Sequence, residues 1–231
     1  DGAVVYTSVK GAKEALGASS AHAVALWPMV AVGEKKYYFS AMFAALTAYT
    51  DANNADVPYE SPSNKDLRIT ATVLKDGTTV ALDQQQANDV LNANGVITAI
   101  NANGFKSWGN NTAAYPSTTD PKDRWWAVRR FFDWDGNNFI QTYFQKVDKP
   151  GNKRLIQSIV DSQNIIGNGY VARDYCAGYR VEFRSDENPV TNLLAGHLTV
   201  HTYLAPYIPA EYLENIREYD VDALESAIGG E

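Results

Sequence analysis

The pattern of apolar and polar positions predicts a strand and then a helix early in the chain. Residues 21–33 form a short apolar run with β-branched and aromatic residues, which is typical of one buried strand. In the Ala-rich stretch that follows, the apolar residues Phe39, Phe43, Leu46 and Tyr49 recur at helical spacing. We therefore expect a helix that packs closely on a sheet.

The pattern then predicts a hairpin, a capped helix and another strand. Residues 67–74 alternate between apolar and polar positions, and the Lys-Asp-Gly after them indicates a tight turn. Asp83 is placed to cap a helix and Gly95 to end it, before the strand-like residues 96–104. This order of elements predicts an α/β region that runs to about residue 115.

A polar stretch then leads into helical patterns. Asp120 suits a helix N-cap, Pro121 suits the first helical position, and Asp123 completes a pattern like a capping box. Residues 123–146 predict two amphipathic helical pieces, separated by a break at Asp-Gly-Asn-Asn, residues 135–138.

After the next predicted helix, the spacing of apolar residues changes from helical to alternating. Residues 152–169 carry an apolar stripe at helical spacing, and Gly167 or Gly169 is expected to end that helix. Residues 179–184 and 197–204 then alternate with period two. Helices followed by antiparallel strands predict an α+β second half.

Composition and charge narrow the classes of function. The 231 residues are 45% hydrophobic and 12% aromatic, as in an ordinary folded protein. The net charge of −7 argues against nucleic acid as a partner, and no apolar run reaches the roughly 18 residues of a membrane span. With a single cysteine, Cys176, the chain cannot form an internal disulfide. We expect Cys176 to be a small buried apolar residue. The start of the chain, which lacks Met and a signal core, suggests a fragment of a longer polypeptide.

One stretch begins like a calcium-binding loop. Asp133, Asp135 and Asn137 stand at alternate positions, but Gly136 comes too early and Phe144 occupies the position that needs a bidentate Glu. We expect a helix-breaking turn here and no calcium site.

Two other clusters also favour structural roles. His197 and His201 would share one face of a strand, but no third metal ligand lies nearby in sequence, so surface or interface roles are favoured. Residues 124–131 interleave Arg with aromatic residues, which can stack nucleobases, yet in an acidic chain pairing with local carboxylates is favoured. No motif for a nucleophile, a catalytic metal or a phosphate cradle is present, so no enzymatic activity and no cofactor are predicted.

Short strings spread along nearly the whole chain resemble the sheath protein of contractile phage tails and R-type bacteriocins, and most closely the sheaths of P2-like tails. The resemblance depends on their order and spacing. The strings include LWPMV at 26–30, SAMFAALTAYTD at 40–51, QQQANDVLNANGVITAI at 84–100, DRWWAVRRFFDWD at 123–135 and YLAPYIPAEYLENIREYD at 203–220. One departure is Asn111, which stands where the family pattern Gly-x-Arg-Thr has an arginine and puts in doubt an ion pair at the domain junction.

The resemblance implies a division of the chain. Residues 21–115 would be the later part of a subtilisin-like α/β sheath domain, a mixed sheet flanked by helices that is not a protease. Residues 120–210 would form the C-terminal α+β sheath domain with antiparallel strands, and 211–231 a C-terminal arm. Residues 1–20 would be a remnant next to a truncation.

The resemblance also implies a structural function. Copies of the protein would polymerise as a helical sheath around an inner tail tube, then contract and drive the tube through the target envelope. The implied partners are other copies of the chain, the tube protein, the baseplate and the tail terminator, with no nucleic acid and no membrane. The implied location is the virion, after assembly in the bacterial cytoplasm, and the origin would be a phage, a prophage or a bacteriocin.

The segment after the last predicted strand is the candidate arm that would add a strand to a neighbouring subunit. Pro206 and Pro209 would form the hinge, because proline cannot donate a ladder hydrogen bond. The predicted contacts of the arm are Glu211, Tyr212, Leu213, Ile216 and Tyr219. Helical and strand patterns both fit these positions, and the alternative is an element packed on its own domain.

A cluster of cations is the candidate surface that faces the tube. A predicted helix start carries Lys149, Lys153 and Arg154, although the helix dipole does not favour cations there. These cations would therefore suit binding to an acidic tube surface. A plain solvated face is the alternative. Two rival functions are a hydrolase with its active site in a missing N-terminal part, and a monomeric carbohydrate-binding or adhesin module.

Overall fold

The computed structural model describes residues 5–229, which form a mixed α/β fold. The helices are α1 (Val9–Ala15), α2 (Phe39–Asn53), α3 (Gln84–Gln86), α4 (Pro121–Arg124), α5 (Trp126–Tyr143), α6 (Lys153–Ala172), α7 (Val190–Leu194) and α8 (Val221–Ile228). The strands are β1 (Ala25–Leu26), β2 (Met29–Val32), β3 (Lys35–Tyr37), β4 (Ala71–Val73), β5 (Val96–Asn101), β6 (Phe105–Trp108), β7 (Cys176–Glu182) and β8 (His201–Pro206). After α3 the backbone continues in helical turns through Ala87–Leu91 and Asn92–Asn94.

The strands form three small sheets. The first has the order β1-β5-β6, with β1 parallel and β6 antiparallel to the central β5. The second has the order β3-β2-β4 and is antiparallel throughout. The third is the antiparallel pair β7-β8. The two alternating stretches, residues 179–184 and 197–204, overlap these two strands, so the predicted antiparallel strands are confirmed.

Two larger apolar cores hold the fold together. In the first, Phe39 and Phe43 of α2 pack against Val30 and Ile97 of two different sheets. The second lies between α5, α6 and the β7-β8 pair. Its buried members are Phe131, Tyr170, Cys176, Tyr179 and Val181, together with Val57 from the first half of the chain. Because Val57 belongs to the second core, the two halves are packed against each other.

The predicted caps at Asp83, Gly95 and Asp120 are confirmed, but the capping-box pattern of Asp120 with Asp123 is wrong, because the Asp123 side chain pairs with Arg129 instead. The Asp83 carboxylate accepts a hydrogen bond from the Gln86 amide at 2.7 Å, and the Gln86 side chain bonds back to form a capping box. Gly95 ends that helical segment with φ +67°, where a side chain would be strained. Asp120 caps α4 by accepting from the Lys122 amide at 2.8 Å, with Pro121 in the first turn.

The single strand expected over residues 21–33 is wrong. The segment forms β1 and β2, which belong to different sheets. They are separated at Trp27 and Pro28, because proline has no amide hydrogen with which to continue the ladder. The alternating stretch at 67–74 likewise contributes only the short strand β4, while Leu67 and Ile69 are buried in the first core.

The break expected at residues 135–138 is also wrong, because α5 runs without interruption through it. A glycine inside a helix costs about 1 kcal/mol relative to alanine, which tertiary packing readily overrides. Here Phe131 and Asp135 on the inner face of α5 are buried and Gly136 faces open space. Residues 135–138 are therefore helix interior.

Neither Gly167 nor Gly169 ends α6, which continues to Ala172. Gly167 has another role, since the Tyr179 ring of β7 lies directly against its Cα and an added Cβ would overlap that ring. The glycine therefore allows close approach of strand and helix.

Residues 5–20 pack on the body of the fold. Val9 of α1 is buried with Trp27, Leu91 and Val96 in a third cluster. The Lys13 ammonium donates to the Asn94 carbonyl at 2.7 Å, and partial burial lowers the pKa of this lysine. Residues 1–4 of the predicted remnant, and 230–231 of the predicted arm, lie outside the described residues.

Candidate functional site

The predicted arm is extended on the protein surface. The chain leaves β8 at Pro206 and has no regular secondary structure until α8 begins at Val221. Four predicted contact side chains are largely exposed: Tyr212 (81%), Leu213 (89%), Ile216 (78%) and Tyr219 (74%). In the single chain these residues form neither the helix stripe nor the strand that their pattern permits. A run of exposed large apolar side chains is typical of an interaction site.

The first predicted contact residue, Glu211, is bound to the body of its own chain. Its Oε1 accepts a hydrogen bond from the Asn110 side chain at 3.1 Å, and its Oε2 lies 3.6 Å from the Arg124 guanidinium. Glu211 therefore fixes the root of the arm where the two halves of the chain meet. The apolar residues that follow it have no such tether.

Arg124 is itself held firmly at this junction. Its Nε donates to the Asn111 side-chain oxygen at 3.0 Å, and its guanidinium lies over the rings of Tyr115 (4.4 Å) and Trp125 (4.1 Å). The Asn111 amide in turn donates to the Asn92 carbonyl at 3.0 Å. Asn111, which departs from the family pattern, thus orients a neighbouring arginine, a contact that sequence reasoning missed.

The two predicted hinge prolines lie on either side of the strand end. Pro206 is the last residue of β8 and pairs across the ladder with Cys176. Pro209 comes after the strand and, with Glu211 and Arg124, lines a cavity of about 500 Å³. The positions suit a change of chain direction, and a hinge movement there stays a prediction.

The three cations proposed to face the tube lie at the start of α6 or in the turn before it. The Asn152 side chain caps this helix by accepting from the Leu155 amide at 2.9 Å, and Lys153 and Arg154 are its first two residues. Within residues 5–229, Lys149, Lys153 and Arg154 form no ion pair. Each cation near a helix N-terminus costs about 0.3–1 kcal/mol, so an acidic partner would stabilise this cluster.

A long groove runs beside these cations. Its volume is about 1440 Å³, and its wall includes Lys149 and Lys153 together with apolar residues of α5, α6, β7 and the segment before β8. Leu193 and Leu198, which line it, are partly exposed. The groove places an apolar surface next to a basic one.

The two carboxylates of the calcium-like stretch point to different partners. Partial burial raises the pKa of Asp133, but hydrogen bonds from Arg129 and His22 outweigh it, so this pKa lies below its usual value. Asp135 is buried in the second core, where both of its oxygens accept from the Tyr179 hydroxyl at 3.1 Å. Their divergence explains why the stretch does not form a calcium loop.

The paired histidines do not share a strand face, which corrects that expectation. His197 lies in the connection before β8, whereas His201 is the first residue of the strand, with its Nδ1 2.7 Å from Glu187. The arginines of residues 124–131 pair with carboxylates, but only Arg129 has the local partners that were expected, Asp123 and Asp133. Arg130 pairs with Asp51, 79 residues away, and Arg124 lies near Glu211.

Two kinds of feature are absent from residues 5–229. No group of three or more His, Cys, Asp or Glu side chains is arranged to hold a metal ion. No helix in the same range is long and apolar enough to cross a membrane.

Comparisons with known sequences point to one class of protein, although no protein-family model matches the chain. The tail sheath protein of Burkholderia phage BcepMu is 30% identical over 172 residues, which cover 74% of this chain and 36% of that protein. The tail sheath protein of Escherichia phage P2 is 31% identical over 54% of this chain and 31% of its own length. The major tail sheath protein of Serratia phage KSP20 is 25% identical over 87% of this chain. The chain spans about a third to a half of the length of these relatives.

Comparisons with solved structures give the same fold. A chain of the contracted sheath complex of the PVC extracellular contractile injection system superposes with a TM-score of 0.80 at 17% identity, covering 96% of this chain and 63% of that one. A chain of the contracted anti-feeding prophage sheath gives 0.73 at 20% identity, over 87% of this chain and 57% of that one. A chain of the anti-feeding prophage baseplate gives 0.75 at 19% identity, over 88% of this chain and 56% of that one.

The sequence relatives and the fold therefore agree with each other and with the motifs quoted above, and the resemblance predicted from those motifs is confirmed. In sequence and in fold, the chain is a relative of the contractile tail sheath proteins and corresponds to a part of their length.

Proposed function

We propose that the protein is a structural subunit of a contractile tail sheath, which polymerises around an inner tube and contracts to drive the tube through a target envelope. The observation that carries the proposal is the agreement between the sheath relatives and the contracted sheath structures. Contraction would be a rigid-body rotation of subunits about their interfaces, and no chemical step is needed.

In this proposal the two halves of the chain have separate roles. The first sheet with α2 would be the later part of the subtilisin-like sheath domain, and the β7-β8 pair with α5 and α6 would be the C-terminal sheath domain. Residues 21–115 and 120–210 are the corresponding ranges. The two large apolar cores, centred on α2 and on α5 and α6, support this division.

The C-terminal segment would join each subunit to its neighbour by adding a strand to the neighbour's sheet. In such β-augmentation, main-chain hydrogen bonds hold the partners while apolar side chains fill pockets. The exposed side chains between Tyr212 and Tyr219 support this role, and so does the pair β7-β8, which is only two strands wide within residues 5–229. A two-stranded sheet is marginal by itself and gains from further strands.

The remaining partners follow from the same function. The cations at the start of α6 would face an acidic inner tube, and the sheath ends would contact the baseplate and the tail terminator. A relative in fold comes from a baseplate structure, which supports the first of these end contacts. The subunit would be part of the virion or particle after assembly in the host cytoplasm.

Electron microscopy of the purified full-length polypeptide tests the proposal. We expect long tubes, and a variant that stops after Ala210 should fold normally yet form none. Folding should survive because the residues lost lie almost entirely on the surface. Full-length protein that stays monomeric at every concentration would contradict the proposal.

The two rival functions have no support among the relatives, which are sheath proteins or parts of sheath and baseplate structures. A hydrolase would turn over ester or peptide substrates as a monomer, and an adhesin would bind glycans as a monomer. Assays for either activity on the full-length protein complete the test.

A further inference from the structure

A small cavity lies between α5 and β8. Its volume is about 280 Å³, and it is lined by Phe132, Asp135, Gly136 and Phe139 of α5 and by Val200, Thr202 and Leu204 from β8 and the residue before it. The α5 residues recur at helical spacing, and the β8 residues alternate, so each element contributes one face. No residue of β7 lines the cavity, which places it under β8 toward the edge that no described strand covers.

The cavity contains one acidic group. The Asp135 side chain is only 6% exposed, and its hydrogen-bond donor is the Tyr179 hydroxyl, shared between both carboxylate oxygens. No cation of residues 5–229 pairs with it, although buried carboxylates are rare unless they are paired. Burial raises the pKa of Asp135, partly offset by the hydrogen bond from Tyr179. The carboxyl thus has a hydrogen-bond donor but no cationic partner within residues 5–229.

The arm carries one cation and several anions. In residues 207–231, Arg217 is the single Lys or Arg, and it is exposed and forms no ion pair within residues 5–229. In an extended strand, Leu213, Arg217 and Tyr219 would face one side. Glu214 and Glu218 would face the other side, together with Tyr212 and Ile216. The first face joins apolar groups to a cation, which matches a cavity that joins apolar walls to a carboxylate.

We propose that Arg217 of one copy enters this cavity in a neighbouring copy and pairs with Asp135. Its aliphatic stem would lie against Phe132 and Phe139, and its planar guanidinium would bind the carboxylate opposite Tyr179. The inference rests on the proposed sheath function and specifies the face that the arm turns inward. The proposed occupant of the cavity is a second copy of this chain.

The test compares variants in the assembled full-length polypeptide. The changes are Arg217→Gln, Asp135→Asn and both together, with Glu214→Gln as the matched control on the opposite face of the arm. The measurement is the critical concentration for tube formation, obtained by sedimentation. Loss of one partner of a buried, hydrogen-bonded charge pair should raise this critical concentration about 30-fold or more. We expect such a rise for each single variant, a double variant no worse than the singles, and little change for the control.

Other results overturn the pairing without touching the sheath function. An Arg217→Gln variant that assembles like the wild type would refute it, as would single effects that add in the double variant. If Asp135→Asn weakens tubes but Arg217→Gln does not, another cation occupies the cavity and the inference is wrong. Arg217→Gln is on the exposed arm and leaves the fold intact, so the result remains decisive if Asp135→Asn misfolds. Normal tubes from the variant that stops after Ala210 would instead contradict the proposed role of the arm.

Discussion

Substitution of Gly167 by alanine probes the closest approach of helix and strand in the second core. An added Cβ would overlap the Tyr179 ring, which is buried and whose hydroxyl bonds to Asp135 and Gln163. Overpacking of this kind costs about 1–3 kcal/mol. Displacing the ring also breaks buried hydrogen bonds, at about 1–3 kcal/mol for each group left without a partner. Greater helix propensity returns only about 1 kcal/mol, so a net loss of about 2–4 kcal/mol is expected.

Urea unfolding of Gly167→Ala, followed by circular dichroism, measures this loss as a lower midpoint at unchanged slope. The matched control is Gly136→Ala in α5, where an added Cβ meets nothing within 4 Å. That variant should gain about 0.5–1 kcal/mol, because it removes glycine from a helix interior without a clash. A Gly167→Ala variant as stable as the wild type would refute the claim that the contact with Tyr179 requires glycine.

Three further predictions concern charges. The pKa of Asp135 is raised in the folded state, so the ionised carboxylate destabilises the fold. This loss of stability is absent at low pH and appears as the pH rises above the pKa of the unfolded chain, about 4. Asp135→Asn should therefore raise the urea midpoint of the monomer at pH 7 but not at pH 3, and an equal gain at both would contradict this. Arg130→Gln should cost about 1–3 kcal/mol, since it leaves the poorly exposed Asp51 without its cation, whereas Lys106→Gln beside the exposed Asp66 should change the midpoint little. Reversing Lys153 and Arg154 to Glu should abolish co-assembly with the tube but not tube-free polymerisation, and normal co-assembly would contradict the tube-facing assignment.

The sequence correctly predicted helix ends that are determined by residues within one or two turns. Asp83, Asp120 and Gly95 act on backbone groups within a few residues, so their roles were readable from spacing. The break at Pro28 also has a local cause and was missed in the apolar run, whereas the error at Gly167 has a long-range one. A helix can tolerate Gly167 in its interior because Tyr179, twelve residues away, fills the space that a side chain would occupy. Sequence spacing gives no measure of that approach.

The candidate site shows the same division between local and long-range information. The spaced apolar residues from Tyr212 to Tyr219 were visible in the sequence, but their pattern left open whether their own domain would cover them. The tether of Glu211 to Asn110 and Arg124 was not visible, since about a hundred residues separate Glu211 from Asn110. The pairing of Asp135 with Tyr179 was also hidden, because the surrounding Asp and Asn residues suggested a loop.

The arm and the cavity under β8 are different surfaces of one subunit, and this difference bears on the form of the assembly. When one surface binds another in a neighbouring copy, the contact is heterologous, and it repeats from copy to copy unless the rotation closes a ring. A reciprocal exchange of arms between two copies would instead stop at a dimer. The Glu211 tether fixes the root of the arm to its own chain at Asn110 and Arg124, so only the part of the arm beyond Glu211 can reach another copy. In the proposed assembly the arm of each copy binds the cavity of the next, and this one-way contact gives an open helical polymer if the rotation does not close.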